Sequence, residues 1–310
     1  LCSRKRIRRS GGTGPCAPNF GPMLASMLAA FGWRPPPACR ATLSQARFWR
    51  SALVGTTPTE RRRLSTIYAL PATLRLLLGD ILVRVRGRLG DHAVTDTDKG
   101  SDAPLRIAVL GASQTNEFAG PLHALLGVRS FADLLACAAH DLPGEQSVDF
   151  IVCGPEVPAD FAGAMERVGS HAIAYHRACL HEIGELPDFN ACIALHAGLG
   201  VPKYRSLWRP TLRRLATERP ACLFYATAYD VMENSMNSEV LAAAAPGMRT
   251  FVVGPNAAGA LMGRARLGRL HHSWAAAGNA KHSPAGLQPN DLDRQEMLAG
   301  AGRVVRELCA

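Results

Sequence analysis

The chain has 310 residues, 47% of them hydrophobic and 19% charged, which supplies enough apolar surface for a packed core and excludes a wholly disordered protein. Its formal charge of +10 is unevenly divided: residues 1–100 hold 17 Lys/Arg against 5 Asp/Glu, a net +12, and residues 101–310 hold 18 against 20, a net −2. A main domain so close to neutral lacks the electrostatic footprint of a dedicated nucleic-acid binder.

The basic excess sits at the front. The chain opens at Leu1 rather than Met, which reads as a fragment, and its first acidic residue is Glu60. Ahead of it lie Arg4, Lys5, Arg6, Arg8, Arg9, Arg34, Arg40, Arg47 and Arg50 among Ser, Thr, Pro and Gly. Arg-rich, acid-free composition is that of an organelle transit peptide, because a positively charged and weakly folded segment is drawn across an energised membrane. A disordered basic tail, translated sequence upstream of the true start, and an RNA-contacting arm are the alternatives. Residues 1–59 are therefore expected to be a disordered basic leader, with mitochondrial or other organellar localisation, otherwise cytoplasmic.

From Glu60 to Leu89 apolar residues recur at helical spacing, interrupted at Pro71, with Arg61–Arg63 and Arg84–Arg88 on one basic face. The plain reading is a docking helix with a solvated face. Contact with RNA through residues 61–88, or with a membrane surface, is the other. The most apolar stretch, residues 74–85, carries Arg75, Asp80 and Arg84, so no transmembrane segment is expected and the mature protein reads as soluble. Residues 91–104 read as a linker, closing a segment of 60–104.

Short apolar runs then alternate with helical periods. Strands are predicted over 106–112, 148–153, 171–181, 191–195, 221–227 and 249–253, with helices over 122–139, 208–218 and about 235–244. The expected fold is α/β and Rossmann-like: a mostly parallel sheet of about six strands flanked by helices, spanning 105–256. Residues 257–310 read as an extension with a terminal helix near 291–308. His271, His272 and His282 fall in its unpatterned part and carry no assignment.

In open α/β sheets ligands collect where strands end, because loops turn there and helix N-termini point inward. Those ends supply Gly111, Ser113 and Glu117, then Gly154 and Glu156, then His196, Gly198 and Gly200, then Thr227, Tyr229, Glu233 and Asn234, and finally Asn256. The first turn, GASQTNE, is not GxGxxG, so a dinucleotide is disfavoured; Ser113 is equally a helix cap. S-adenosylmethionine needs no phosphate cradle, and Glu156 stands where an acidic group takes ribose hydroxyls. His196 names no orienting carboxylate, and no GxSxG elbow is present. Trp208 reads as a packing anchor rather than a stacking platform.

Nine scattered cysteines include no CxxC pair and read as reduced core residues. Cys179 and His181 would share a strand face that His176 would not, but without HExxH or a carboxylate cluster no metal site is expected.

Taken together, strand-GAS with Glu117, VDFIVCGPE, ACIALHAGLG, LWRPTLRRL, LFYATAYD and MENSMNSE resemble the C-terminal domain of the mitochondrial splicing suppressor 51-like family, over roughly residues 105–256. The family-like positions are Gly111, Glu117, Gly154, Pro155, Glu156, His196, Gly198, Trp208, Pro210, Thr211, Thr227, Tyr229, Glu233 and Asn234. In that family the domain often follows a MYND zinc finger, whose paired cysteines residues 1–104 lack. The resemblance implies an α/β interaction domain with protein partners, supporting organellar RNA maturation, translation or assembly without clear catalysis and with no cofactor. The competing expectation is a small-molecule transferase of the S-adenosylmethionine-dependent methyltransferase type using the strand-end crevice.

Overall fold

The computed structural model describes residues 47–48, 50–90, 103–112, 118, 130–140, 142, 146–195, 198–228, 231–245, 247–255, 273–279 and 291–309. The leader up to residue 46, the linker at 91–102 and the three unassigned histidines lie outside that set. In chain order the elements are α1 (Pro58–Gly90), β1 (Leu105–Leu110), α2 (Phe131–Ala139), β2 (Val148–Cys153), β3 (Met165–Val168), β4 (His171–His176), β5 (Ala191–Ala194), α3 (Pro202–Glu218), β6 (Leu223–Ala228), α4 (Val231–Ala244), β7 (Met248–Pro255), β8 (Ser273–Asn279) and α5 (Asp291–Cys309).

One eight-stranded sheet runs in the order β3-β4-β2-β1-β5-β6-β8-β7. Strands β4, β2, β1, β5 and β6 pair in parallel. Strand β8 is antiparallel to both β6 and β7, so β7 runs with the parallel set, and β3 is antiparallel to β4. The six strands expected from the sequence are all present and codirectional, and the two additional strands are the reversed ones.

Both faces of the central sheet are covered, which is why β1, β5 and β6 are nearly all apolar, while β3 at the edge (Met165–Val168) has no buried residue. The period of two still sorts them. Ile107, Val109, Phe150, Val152, Ile193 and Tyr225 join a core with Leu74, Leu77, Leu78 and Ile81 of α1, Phe131, Leu134 and Leu135 of α2, and Ala301 and Val305 of α5. Ala108, Leu110, Cys192, Ala194, Phe224 and Ala226 face the other way, against Leu212 and Leu215 of α3 and Leu241 and Ala244 of α4. The segments 60–104 and 257–310, expected beside the domain, thus contribute β8, α5 and most of α1 to it. The end of the expected disordered leader joins it too, with Phe48, Ala52 and Leu53 buried in the first core and α1 starting at Pro58. The boundaries of 105 and 256 are too narrow because β8 lies between two strands of the sheet.

Helix α1 shows how far burial overrides a basic appearance. Its halves Pro58–Ser65 and Ile67–Gly87 meet at 60°, about one turn before Pro71, which has no N–H to offer the carbonyl of Ile67. Arg84, counted with the basic face, is 5% exposed, and Arg75 is 3% exposed. Arg84 Nε donates to Asp80 Oδ2 at 2.7 Å, and the hydroxyl of Tyr225 donates to the same oxygen at 2.6 Å. Among the described residues no single helix is long and apolar enough to cross a membrane.

Element boundaries differ from expectation for local reasons. Helix α2 starts at Phe131 rather than 122, since extended Ser130 caps it: Asp133 N–H donates to Ser130 Oγ at 3.2 Å and Ser130 N–H to Asp133 Oδ2 at 3.1 Å. Helix α3 begins at Pro202, the first-turn proline, while Pro210 lies inside it on the exposed side. Strand β4 stops at His176, short of the expected 181, and the chain turns through a 3-10 helix at Leu180–Glu182.

Candidate functional site

The parallel strands change sides at β1: β2 and β4 follow on one side, then β5 and β6 on the other. Ligands of open α/β sheets bind in the crevice outside the carboxyl ends at such a switch point. Here the crevice is bounded by Gly111 after β1, the Gly154–Val157 turn after β2, and the Gly198–Gly200 turn after β5.

Its backbone is closely fitted. The N–H groups of Gly111 and Ala112 both donate to the Cys153 carbonyl, at 2.9 and 3.2 Å, extending the β1–β2 ladder past the strand ends. Gly154 passes directly over Ala112, so a Cβ at 154 would overlap the Ala112 carbonyl oxygen. Gly111 has φ +76° and is exposed, and a Cβ there would lie 3.2 Å from Cζ2 of Trp208. The indole belongs to α3, is half-buried against the second core and leans over the end of β1, combining its expected anchoring role with a place at the crevice.

On the β5 side Gly198 has φ +58°, and a Cβ at Gly200 would overlap the Cβ of Met236 on α4. Asn237, one residue on, is fully buried, and its Oδ1 accepts from Gly200 N–H at 2.9 Å. Its Nδ2 has no hydrogen-bond partner among the described residues. Nothing in the sequence singled out Asn237: it lies 37 residues from Gly200, and only the packing of α4 on the β5 turn joins them.

Of the other expected rim residues, Glu156 is exposed on the turn after β2, where Val157 N–H closes onto the Gly154 carbonyl at 3.2 Å. Glu233 sits in the first turn of α4, where its charge favours the helix N-terminus, and the backbone of Asn234 follows it there. Thr227 is not on the rim. It is fully buried in β6, opposite Trp274 of β8, because the antiparallel strand covers that edge. Ser113, Glu117, His196, Tyr229 and Asn256 lie outside the described residues.

Of the cysteines expected in the core, Cys153, Cys192 and Cys222 are buried, while Cys137 and Cys179 are half-buried. Among the described residues Cys137, Cys153, Cys179, Cys192 and Cys222 form no disulfide. Burial, reinforced by Cys179, pushes the Cys153 thiol up to about 12, far from the thiolate that a nucleophile requires. Cys192 and Cys222, both buried, approach to 3.5 Å between sulfurs, and burial also holds the Cys192 thiol well above its ordinary range.

One cluster departs from the expectation of no metal ligands. Because β4 ends early, Cys179, His181 and Glu182 do not alternate along a strand but gather on one turn, with a ligand atom of each within 4.8 Å of the other two. No family model, curated protein or solved structure matches the chain.

Proposed function

We propose that the chain is a small-molecule-binding α/β protein of the S-adenosylmethionine-dependent methyltransferase type, its crevice at the β1 and β5 ends taking the adenosyl ligand, in the service of organellar RNA maturation, translation or assembly. The sheet order carries the first part. Counting the six codirectional strands alone gives the doubly wound Rossmann order 3-2-1-4-5-6. The single antiparallel strand inserted before the last of them is the modification by which methyltransferases of this type differ from dinucleotide-binding proteins. The organellar part is supported by the acid-free leader and by the family resemblance.

The residues fit such a ligand better than a dinucleotide. The backbone at Gly111 is exposed without a side chain, Glu156 is free to accept from ribose hydroxyls, and the fully buried Asn237 retains an amide donor beside the β5 turn. A pyrophosphate would want a glycine-rich cradle, which GAS does not give. When bound, S-adenosylmethionine supplies an activated methyl group. This chain's described residues serve to bind and orient the ligand.

Thermal unfolding with S-adenosylmethionine and its demethylated product is the test, since selective binding to the native state must stabilise it. A rise in Tm that is lost in Glu156→Gln supports the proposal, and an unmoved Tm at saturating ligand rejects it. A reporter fused to residues 1–60 tests targeting: diffuse cytosolic signal removes the organellar part.

A second reading, an interaction domain without a ligand, is favoured by Tyr204 and Leu207. These lie three residues apart on α3 and are 39% and 55% exposed beside Trp208. An unmoved Tm combined with loss of partner capture in Leu207→Asp would establish it instead.

A further inference from the structure

Away from the crevice floor, the turn that follows β4 gathers a thiol, an imidazole and a carboxylate. We infer that Cys179, His181 and Glu182 form a binding site for one divalent transition-metal ion of the zinc class, with a fourth position open to water. This does not rest on the adenosyl ligand.

The geometry comes first. One ligand atom from each residue lies within 4.8 Å of those of the other two. A tetrahedral zinc ion, with bonds of about 2.3 Å to sulfur and about 2.0–2.2 Å to nitrogen and oxygen, brings its ligands to roughly 3.3–3.8 Å from one another. Small side-chain rotations close that difference without moving the backbone.

The turn is held in advance. His181 Nδ1 is hydrogen-bonded to Oγ1 of the buried Thr211 at 2.8 Å, which fixes the ring; in the tautomer in which Nδ1 donates, Nε2 carries the lone pair that a metal needs. Glu182 Oε2 accepts from Cys179 N–H at 2.7 Å, so the carboxylate is folded back over the thiol with Oε1 to spare. The guanidinium of Arg214 on α3 donates to the carbonyls of Leu180, His181, Ile183 and Gly184, stapling the turn to the helix. Its own charge is balanced by Glu218 at 2.8 Å. Hydrogen bonds from Thr211 and Arg214 to the ligands and their turn fix ligand orientation before the ion arrives.

The donor set decides the ion. One thiolate, one imidazole and one carboxylate suit zinc rather than calcium or magnesium, which take oxygen alone. Three protein ligands are also the number that leaves a position open. Cys179 is half-buried. Binding as thiolate replaces its S–H bond with an S–metal bond and releases one proton to solvent.

The full chain, stripped with chelator, is titrated with Co²⁺ and followed by absorption. Expected are one ion per chain, a sulfur-to-metal charge-transfer band, tetrahedral visible bands, and displacement by Zn²⁺. Cys179→Ser abolishes the charge-transfer band. The near-isosteric Thr211→Val keeps the band but weakens affinity about 10- to 100-fold, as loss of the hydrogen bond that orients a metal-binding imidazole does. A wild-type spectrum without a thiolate band overturns the inference, as does a band unchanged in Cys179→Ser, which would assign the ion to other cysteines. Should that variant fail to fold, wild-type protein alkylated with and without Zn²⁺ answers by mass spectrometry. Protection of Cys179 supports the site, and equal labelling overturns it.

Discussion

The hydroxyl of Tyr225, on β6, and the carboxylate of Asp80, on α1, are joined by a 2.6 Å hydrogen bond across 145 residues of sequence. Arg84 closes the group from one turn further along α1, and all three side chains are buried. Burial raises the Tyr225 phenol well above its ordinary range, more than the opposing pull of Arg84 can offset, so it remains a donor to the carboxylate. Removing one member of a buried ion pair strands the other. Asp80→Ala should cost about 3–5 kcal/mol. Tyr225→Phe, which leaves the pair intact, should cost about 1–3 kcal/mol. Urea midpoints at constant slope measure both, and equal losses would show that Arg84 finds another partner.

Two glycines separate steric need from conformational need. A Cβ on Gly154 would overlap the backbone carbonyl oxygen of Ala112, which cannot rotate away. Gly163 has φ +79° with nothing within 4 Å of its would-be Cβ. Gly154→Ala should therefore cost about 3 kcal/mol or more, because β1 and β2 must part. Gly163→Ala should cost only the left-handed penalty of about 1–2 kcal/mol. Chemical denaturation of the two variants side by side checks the order.

Much of this fold is legible in the sequence, and the exceptions have physical causes. Runs such as VDFIVC and ACIAL announce strands buried on both faces, and all six expected strands are present. Strand β8, SWAAAGN, escapes notice because alanine and glycine have little strand preference; it is made by pairing with β6 and β7. Strand β3 has a signal of its own in the sequence: Gly169-Ser170 between two short runs is a two-residue hairpin turn, with φ +59° at the glycine. Helix α1 carries a basic face in sequence because Arg84 counts there by charge alone, whereas Tyr225, which it meets in the core, is remote in sequence. Around the crevice, Gly111, Gly154 and Gly198 are legible as strand-end residues. The lean of Trp208 over Gly111, the bond of Asn237 to Gly200 and the pairing of His181 with Thr211 are not, because helix packing alone creates them.

His171 gives the stability a pH dependence of known sign. Its Nδ1 accepts from the buried Val148 N–H at 3.1 Å, so the ring is held neutral. Burial and the nearby His140 lower its pKa against the opposing charge of Asp149. In the unfolded chain the ring titrates near 6.5. Above that pH neither state is protonated and the contribution is fully present. As pH falls below it, the unfolded chain takes the proton first, and stability declines towards the depressed folded value. The Tm should fall between about pH 7 and pH 5 more steeply in wild type than in His171→Gln. Parallel slopes would assign the dependence to other groups.

The indole of Trp208 over Gly111 can be tested without any ligand. Gly111→Ala carries two costs, a positive φ and a Cβ 3.2 Å from Cζ2 of the ring, tighter than ordinary van der Waals contact. Trp208→Ala carries a different one, lost packing of a half-buried aromatic against the second core. In the double variant the steric cost disappears because the ring is gone, while the backbone cost remains. The double should thus be less destabilised than the sum of the singles, by a coupling of about 0.5–3 kcal/mol. A cycle in urea measures that difference, with Gly163→Ala/Trp208→Ala as the uncoupled reference. Strict additivity at 111 would mean that the indole does not lean on the end of β1, and would remove Trp208 from the crevice.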